Sequence, residues 1–210
     1  MTDRQIPQIS SRKHPKQARS ADLVAAILQA AIQVLAKEGA HRFTTARVAE
    51  KAGVSVGSVY QYFPNKAAIL FRLQSDEWRE TTEMLRRILE DTAKPPFERL
   101  RVLVHAFLQS ECDEADMRVA LDDAAPLYRD APEAQAAKAA SDKIFEAFMR
   151  EVLPKATNPT RTLASDLLTS TLGSVGKDFS ETPRKPAEIK AYADAMARMF
   201  SAYLKDLAKG

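Results

Sequence analysis

The sequence predicts an all-helical protein. Its 6 glycines and 11 prolines fall between long stretches in which apolar residues recur with the 3.6-residue period of an α-helix. No stretch shows the sustained period-two alternation with β-branched residues that is typical of a strand. Because 45% of the 210 residues are hydrophobic and 28% are charged, the composition is that of a folded globular chain.

The first predicted helix begins near Ser20 and ends at Gly39, because glycine adopts the left-handed conformation after a helix at little cost. Its apolar residues share one face: Leu23, Val24, Ile27, Leu28, Ala31, Val34 and Leu35. This spacing predicts an amphipathic core helix.

Two short helices follow over residues 45–52 and 56–63, separated by Gly53-Val54-Ser55. Their candidate N-caps, whose oxygens accept hydrogen bonds from free backbone amides, are Thr44 or Thr45 for the first helix and Ser55 for the second. Pro64 ends the second helix, and Asn65 is placed to cap a long helix over residues 66–91.

Further helical periodicity follows Pro95-Pro96 and predicts a second helical domain. Its helices are predicted over residues 97–112, 114–124, 132–153, 160–176 and 187–208. We predict a basic flexible arm over residues 1–19, a first helical domain over residues 20–66 and a second over residues 67–210.

The net charge of +3 conceals an asymmetry between the two parts of the chain. Residues 1–66 hold ten Lys or Arg against four Asp or Glu, whereas the remaining 144 residues hold 21 against 24. A basic module beside a mildly acidic one predicts that the first meets a polyanion. Nucleic acid is favoured over an anionic membrane, because no basic amphipathic helix stands there.

Localisation follows from what the chain lacks. The longest uninterrupted apolar run, Leu23 to Leu28, is far shorter than the ~20 residues of a membrane-spanning helix. No apolar core of a signal peptide follows the basic N-terminus, and the single cysteine, Cys112, cannot form an internal disulfide. We expect a cytoplasmic protein without a membrane partner.

A helix, a three-residue turn containing glycine and a short helix have the layout of a helix-turn-helix motif, whose second helix enters the major groove of DNA. Val59 and Phe63 are four residues apart and are expected to pack inward, against Val48, Ala49, Ala52 and Val54. The residues predicted to face outward are Val56, Gly57, Ser58, Tyr60, Gln61 and Tyr62. Small residues at the helix start suit a close approach to a duplex.

The same segment resembles the signature of the tetracycline-repressor (TetR) family of bacterial transcription regulators. The matching residues are Phe43-Thr44-Thr45-Ala46-Arg47-Val48-Ala49-Glu50-Lys51-Ala52-Gly53-Val54-Ser55 and Val59-Tyr60-Gln61-Tyr62-Phe63-Pro64-Asn65-Lys66. The resemblance implies a homodimer in which residues 20–66 of each subunit form a helix-turn-helix DNA-binding domain. It implies that residues 67–210 form a helical domain that binds a small-molecule effector and dimerises. It also implies a repressor, without catalytic residues or a cofactor, that a small, largely apolar effector releases from a palindromic DNA operator.

Matched residue by residue, the resemblance implies phosphate contacts from Thr45, Arg47, Tyr60 and Lys66. The recognition surface that it implies consists of Val56, Gly57, Ser58, Gln61 and Tyr62. Val56 is apolar where many members carry a polar residue, so contact with a thymine methyl is expected there. Few direct hydrogen-bond readers remain, and selectivity is expected to depend on DNA shape as well.

The predicted arm is basic, and residues 4–19 contain no acidic residue. Its cations are Arg4, Arg12, Lys13, Lys16 and Arg19. Two interpretations stay open, because such an arm either contacts the DNA backbone or minor groove, or remains a solvated tail.

Two other classes, a bundle enzyme and a helical interaction protein, explain the sequence less well. A bundle enzyme would be expected to carry the Glu-x-x-His pairs of a di-iron centre. An interaction protein explains the amphipathic helices but not the turn at Gly53 and the segment from Tyr60 to Lys66. His105 and Cys112 are separated by ~10.5 Å of helix, whereas two ligands of one zinc need their donor atoms within about 4 Å. We therefore predict no metal site.

Two further sets of residues in the C-terminal region can each be interpreted either as a functional surface or as internal core. An effector pocket is predicted from Trp78, Phe107, Met117, Phe145, Phe148 and Met149, with His105 as its polar anchor. A dimer interface on the last two helices is predicted from Leu168, Leu172, Met196, Met199, Phe200 and Tyr203. Both sets fit an internal core as well, and the sequence does not decide between the alternatives.

Overall fold

The computed structural model confirms the all-helical fold class, and no strand occurs among the residues that it describes. Those residues are Ile9, Ser11, 18–115, 117–118, Leu121, Pro126 and 131–209. The helices are α1 (Ala18–Arg42), α2 (Thr45–Ala52), α3 (Val56–Tyr60), α4 (Lys66–Leu89), α5 (Pro96–Asp113), α6 (Pro132–Val152), α7 (Asn158–Ser180) and α8 (Pro186–Leu207). The helix predicted over residues 114–124 falls largely outside the described part of the chain.

Two glycines act differently from the prediction. The regular part of α1 is interrupted at Gly39, whose φ of 71° and ψ of 171° form a kink, and three more helical residues follow. Gly176 does not end α7, because it lies buried inside the helix. A Cβ atom at Gly176 would stand 3.0 Å from the Phe107 ring, so this glycine permits close packing of α7 on α5.

The chain divides into two compact units. The first comprises residues 1–78 and 116–135, and the second comprises residues 79–115 and 136–210. Helix α4 contributes its first thirteen residues, 66–78, to the first unit and residues 79–89 to the second.

The core of the first unit is built on the apolar face of α1. Its buried residues there are Val24, Ile27, Ala30, Ala31, Val34 and Leu35, and α4 adds Ala67, Ala68, Ile69, Leu70 and Leu73. By length and composition alone, the stretch Arg19–Arg42 would suffice to cross a membrane. Its apolar face packs in this core, which accounts for the apolar composition.

The core of the second unit lies among α4 to α8. Its buried residues include Leu85, Leu89, Leu100, Leu103, Val104, Leu108, Ile144, Phe145, Phe148, Met149, Ala164, Leu168, Leu172, Ile189, Ala193, Met196, Ala197, Phe200 and Leu204. Arg99 is buried among them and bonds the Leu89 carbonyl and the Glu151 carboxylate, so an internal charge is paired.

Candidate nucleic-acid interface

Helices α2 and α3 form a helix-turn-helix with a capped start to each helix. The Thr44 hydroxyl accepts a hydrogen bond from the Arg47 amide at 3.3 Å, so Thr44 rather than Thr45 is the cap of α2. Gly53 ends α2 with a φ of 68°, a left-handed conformation that favours glycine. The Ser55 hydroxyl accepts from the Ser58 amide at 3.0 Å and caps α3 as predicted.

The inward face of the motif agrees with the prediction. Val48 and Ala49 of α2 pack with Val59 and Phe63 in the core of the first unit, and all four are almost fully buried. This packing fixes the orientation of α3 on the first unit, so its opposite face is presented to solvent.

Most of the predicted recognition surface is exposed. Val56 is 39% exposed and Tyr60 41%, and Gly57 and Gln61 are exposed as well. Ser58 is half-buried, and its hydroxyl lies 2.8 Å from the Ser55 hydroxyl. The surface therefore combines an apolar contact, a glycine, an amide and a phenol.

Tyr62 is a correction, because the prediction that it faces outward is wrong. Its side chain is only 9% exposed and belongs to the core. Helix α3 ends at Tyr60, and the Tyr62 amide bonds the carbonyl three residues back, at Val59, at 3.0 Å. This tighter turn rotates the side chain away from the outer face.

Thr45, predicted to contact phosphate, is only 7% exposed. It lies three and four residues before Val48 and Ala49, so helical periodicity places it on the same inward face. The Thr45 side chain therefore packs inward, and its contact with phosphate stays a prediction.

Arg47, the other predicted phosphate contact on α2, is partly exposed and bonded within the unit. Its Nη1 donates to the Glu38 carboxylate and, at 3.1 Å, to the Arg42 carbonyl. Glu38 and His41 have the Glu-x-x-His spacing of di-iron ligands, but within the described ranges no three His, Cys, Asp or Glu side chains come together as a metal site.

Lys66 is exposed at the first position of α4. The Asn65 side-chain oxygen accepts from the Ala68 amide at 2.9 Å, which confirms the predicted cap. Tyr60 and Lys66 thus lie on either side of the turn that joins α3 to α4.

The arm shows one contact that the sequence analysis missed. Ile9 is buried in the core of the first unit, although it belongs to the arm that was expected to be flexible. Two isoleucines, Ile6 and Ile9, among mainly polar residues carry too weak a signal to predict this. Arg19 is exposed, whereas Arg4, Arg12, Lys13 and Lys16 lie outside the described residues.

The residues predicted to line an effector pocket fall into two groups. Trp78 and Met117 pack against the core of the first unit. Phe145, Phe148 and Met149 are buried in the core of the second unit, where Phe107 also packs. His105 faces Asp194, with its Nε2 atom 2.9 Å from the carboxylate.

A cavity of about 310 Å³ lies within the second unit. Its apolar wall contains Leu85, Phe107, Phe145 and Leu172, and its polar lining contains Ser141, Asp142, Thr169 and Ser170. Two of the seven predicted pocket residues, Phe107 and Phe145, therefore line it. The polar group nearest to a ligand there would be Asp142 or a hydroxyl rather than His105.

Two family models match the chain over separate segments. Residues 95–207, more than half of the chain, match the model of the Tetracyclin repressor-like, C-terminal domain. Residues 27–73 match the model of Bacterial regulatory proteins, tetR family. The chain belongs to the TetR family. The predicted resemblance is confirmed, and the family consists of transcription regulators rather than enzymes.

Individual relatives are similar over part or most of the chain. Nucleoid occlusion factor SlmA of Vibrio campbellii is 40% identical over 83 residues, which are 39% of this chain and 42% of that protein. The chain thus spans less than half the length of the curated relatives it matches.

Solved structures share the fold over nearly the whole chain. The fatty acid degradation regulator FadR from Bacillus halodurans aligns with a TM-score of 0.69 and 18% identity, over 89% of this chain and 96% of that one. FadR from Bacillus subtilis, solved in complex with stearoyl-CoA, aligns with a TM-score of 0.68 and 16% identity, over 84% and 97%.

In this TetR chain, four of the residues predicted for a dimer interface lie inside the second unit. Leu168, Leu172, Met196 and Phe200 are all buried in its core, so the prediction is wrong for them. The reason is that each lies on the edge of its helix that faces the neighbouring helices of the same chain. Tyr203 is partly buried, and Met199 is 52% exposed.

Two leucines outside that predicted set are exposed instead. Leu163 is 65% exposed and Leu167 49%, one helical turn apart on α7. On α8, Tyr192 and Met199 are exposed and two turns apart. Their signal in the sequence was the width of the apolar stripes, which exceeds what one neighbouring helix covers.

Proposed function

We propose that the chain binds an operator DNA through the outer face of α3 and acts as a ligand-responsive repressor. The observation that carries this proposal is the exposed surface of Val56, Gly57, Tyr60 and Gln61, held by a buried inner face. The side chains of Val56, Tyr60 and Gln61 each have a chemical counterpart on a duplex, and Gly57 permits a close approach.

The Gln61 amide has the donor and acceptor pair that reads an adenine edge, and the Val56 methyl groups suit a thymine methyl. The Tyr60 hydroxyl and the Lys66 ammonium group suit phosphate oxygens, which position the protein without specifying sequence. Arg47 has further guanidinium donors beyond the Nη1 that bonds Glu38, so it is a candidate for a further phosphate contact.

Gly57 provides a sharp test of close approach. A Cβ atom there would meet only the Ser55 hydroxyl, at 3.7 Å, so the fold accommodates a small side chain. We expect Gly57→Ala to fold normally and to weaken DNA binding, because the added methyl group separates α3 from the groove floor. Gly173→Ala, whose Cβ would have no neighbour within 4 Å, is the matched control.

The experiment selects genomic fragments with the full-length protein and measures their binding by gel shift. Selected fragments that share a near-palindromic sequence, with binding reduced in Gly57→Ala and kept in Gly173→Ala, support the proposal. Failure of the wild-type chain to retain any fragment above random DNA would contradict it.

We further propose a homodimer formed by the exposed apolar edge of α7 and α8. Leu163, Leu167 and Met199 would be covered by the same residues of a second copy, as a two-fold interface requires. Sedimentation of Leu163→Asp together with Leu167→Asp is expected to give a monomer. Val102→Asp, which changes an exposed residue of α5, should remain dimeric.

The effector site is proposed at the cavity between Phe107, Phe145 and Leu172. A volume of about 310 Å³ with a mainly apolar wall suits a small, largely apolar molecule or part of a longer one. FadR of Bacillus subtilis was solved with stearoyl-CoA, so acyl-CoA esters of increasing chain length are the first probes. Leu172→Trp, which fills the cavity, should abolish their effect on DNA binding while leaving DNA binding itself in place.

Helix α4 is the proposed connection between effector and DNA, since one continuous helix contributes residues to both units. Coupling must be reciprocal, at a typical scale of ~1–3 kcal/mol. An inducer should therefore bind more weakly in the presence of operator. Equal affinities with and without operator would contradict coupling, and tighter binding would indicate a co-repressor or activator.

A further inference from the structure

A second strongly charged surface lies in the second unit, in a groove of about 540 Å³ along α5 and α8. We call it the α5–α8 groove. Its lining residues are Phe97, Arg101, Asp194, Ala197, Arg198, Ser201, Ala202 and Lys205. Three of them are cations and one is an acid, although the chain after residue 66 is acidic overall.

The one acid in the groove is already neutralised. Arg101 donates to Asp194 Oδ1 through Nε at 3.1 Å and Nη2 at 2.8 Å, and Lys190 Nζ lies 2.8 Å from Oδ2. His105 Nε2 is 2.9 Å from Oδ1. Asp194 therefore holds a cluster of cations in place and offers little repulsion to an incoming anion.

The remaining cations have donors available. Arg198 is exposed and has no hydrogen bond or ion pair with any described residue. Lys205 lies over the Phe97 ring, with Nζ 4.9 Å from its centre. The Ser201 hydroxyl lines the groove between these two residues of α8. The groove thus offers a free guanidinium, an ammonium, a hydroxyl and an aromatic face.

The groove is distinct from the exposed apolar edge of α8. Asp194, Arg198, Ser201 and Lys205 recur every three or four residues and form one stripe. At about 100° per residue, Ser201 lies about 200° around the helix from Met199. Arg198 lies about 100° from Met199, so the stripe and the apolar edge occupy different faces of α8.

We propose that the α5–α8 groove binds a small phosphate ester that carries a planar ring, such as a nucleotide. The planar fork of Arg198 matches two phosphate oxygens, and Lys205 and Ser201 supply further donors. The Phe97 face, now covered by the Lys205 ammonium group, is a stacking surface for the ring. The same chemistry on a phospholipid headgroup would use the phosphate contacts without the ring.

The test titrates the full-length protein with ADP, pyrophosphate and adenosine by isothermal calorimetry, in the absence of DNA. We expect ADP to bind once per chain, more tightly than pyrophosphate, and adenosine to bind weakest. Arg198→Ala should weaken the binding of ADP and of pyrophosphate about tenfold, because it removes a pair of charge-assisted hydrogen bonds to the phosphate. Lys143→Ala, the control, removes an exposed cation of α6 and should leave the affinities for ADP and pyrophosphate unchanged.

The ring contact has a separate readout. Phe97→Leu should reduce ADP binding to the level of pyrophosphate and leave pyrophosphate binding unchanged. The proposal is overturned if wild-type protein does not bind ADP, or if Arg198→Ala binds it as well as the wild type does. A different result would also overturn it. If the wild type does not bind ADP but binds phosphatidylglycerol vesicles or polyglutamate, and Arg198→Ala abolishes that binding, the ligand of the groove is a lipid or an acidic protein.

Discussion

The α2–α3 pair and the α7–α8 pair were both predicted from apolar spacing, with different success. In the first pair, Val48, Ala49, Val59 and Phe63 are buried as predicted. In the second, residues assigned to a surface between subunits are buried within one chain. Short helices joined by a tight turn can bury their few apolar residues in one way, whereas a long helix with a wide apolar stripe can turn either edge inward.

Neighbouring leucines of α7 show the problem at single-residue level. Leu167 and Leu168 are chemically identical and lie about 100° apart on the helix. Leu168 is 2% exposed, and Leu167 is 49% exposed. The choice between them depends on where α5 and α8 pack, which the local sequence does not contain.

The largest expected effect separates these two leucines. Leu168→Ala should lower the free energy of unfolding by ~2–5 kcal/mol, because it leaves a cavity in the core. Leu167→Ala should change stability little at a fixed, high protein concentration and raise the dimer dissociation constant. Urea denaturation and sedimentation measure the two quantities. A Leu168→Ala protein of normal stability with weakened dimerisation would reverse the assignment.

Much of the first unit was predictable because local chemistry specifies it. Ser55 and Asn65 cap their helices as the sequence predicts, and Gly53 occupies the left-handed position of the turn. The burial of Tyr62 could not be predicted from helical periodicity alone. It depends on the end of α3 at Tyr60, after which the chain no longer follows that periodicity.

The second unit was predictable as helices but not as a site. Phe107 and Phe145 line a cavity, whereas His105 pairs with Asp194, 89 residues away in sequence. Long-range pairs of this kind are set by packing between helices. No spacing within one helix could have identified them.

The turn of the helix-turn-helix gives the next largest effect. Gly53→Ala should destabilise the first unit by ~1–2 kcal/mol, because a φ of 68° strains any residue with a Cβ atom. Gly173→Ala, within the α7 helix, should instead stabilise the second unit by ~0.5–1 kcal/mol. Neither Cβ would meet a neighbour within 4 Å, so thermal unfolding reports the backbone effect alone. Equal shifts of the melting temperature, with the same sign in Gly53→Ala and Gly173→Ala, would contradict the left-handed conformation of Gly53.

A smaller effect is expected at the cap of α2. Thr44→Ala should cost about 1 kcal/mol, because the Arg47 amide loses its acceptor. Thr44→Ser retains the hydroxyl and should restore most of the stability. Urea denaturation of the two variants compares them, and a Thr44→Ser protein as unstable as Thr44→Ala would exclude the cap as the cause.

The smallest effect concerns acid stability of the second unit. Hydrogen bonds from Lys190, Arg101 and His105 hold the pKa of Asp194 well below its ordinary value. A carboxyl whose pKa is lowered by folding stabilises the protein above its unfolded pKa, and this contribution is lost as pH falls towards the folded value. Asp194→Asn should therefore lose less stability between pH 5 and pH 2 than the wild type does. The control Asp166→Asn, which changes an exposed carboxylate, should lose as much as the wild type. Identical acid profiles for the wild type and Asp194→Asn would contradict the network.

The most direct test of the account compares Gln61→Ala with Lys66→Ala on a selected DNA fragment and on random DNA, by fluorescence anisotropy at several salt concentrations. Lys66→Ala should weaken binding to both DNAs and reduce the slope of log affinity against log salt by about 0.9. Gln61→Ala should leave that slope unchanged and reduce discrimination between the DNAs by ~1–3 kcal/mol. Unchanged discrimination in Gln61→Ala, with altered base preference in Lys66→Ala, would contradict the assignment of α3 as the helix that reads the sequence.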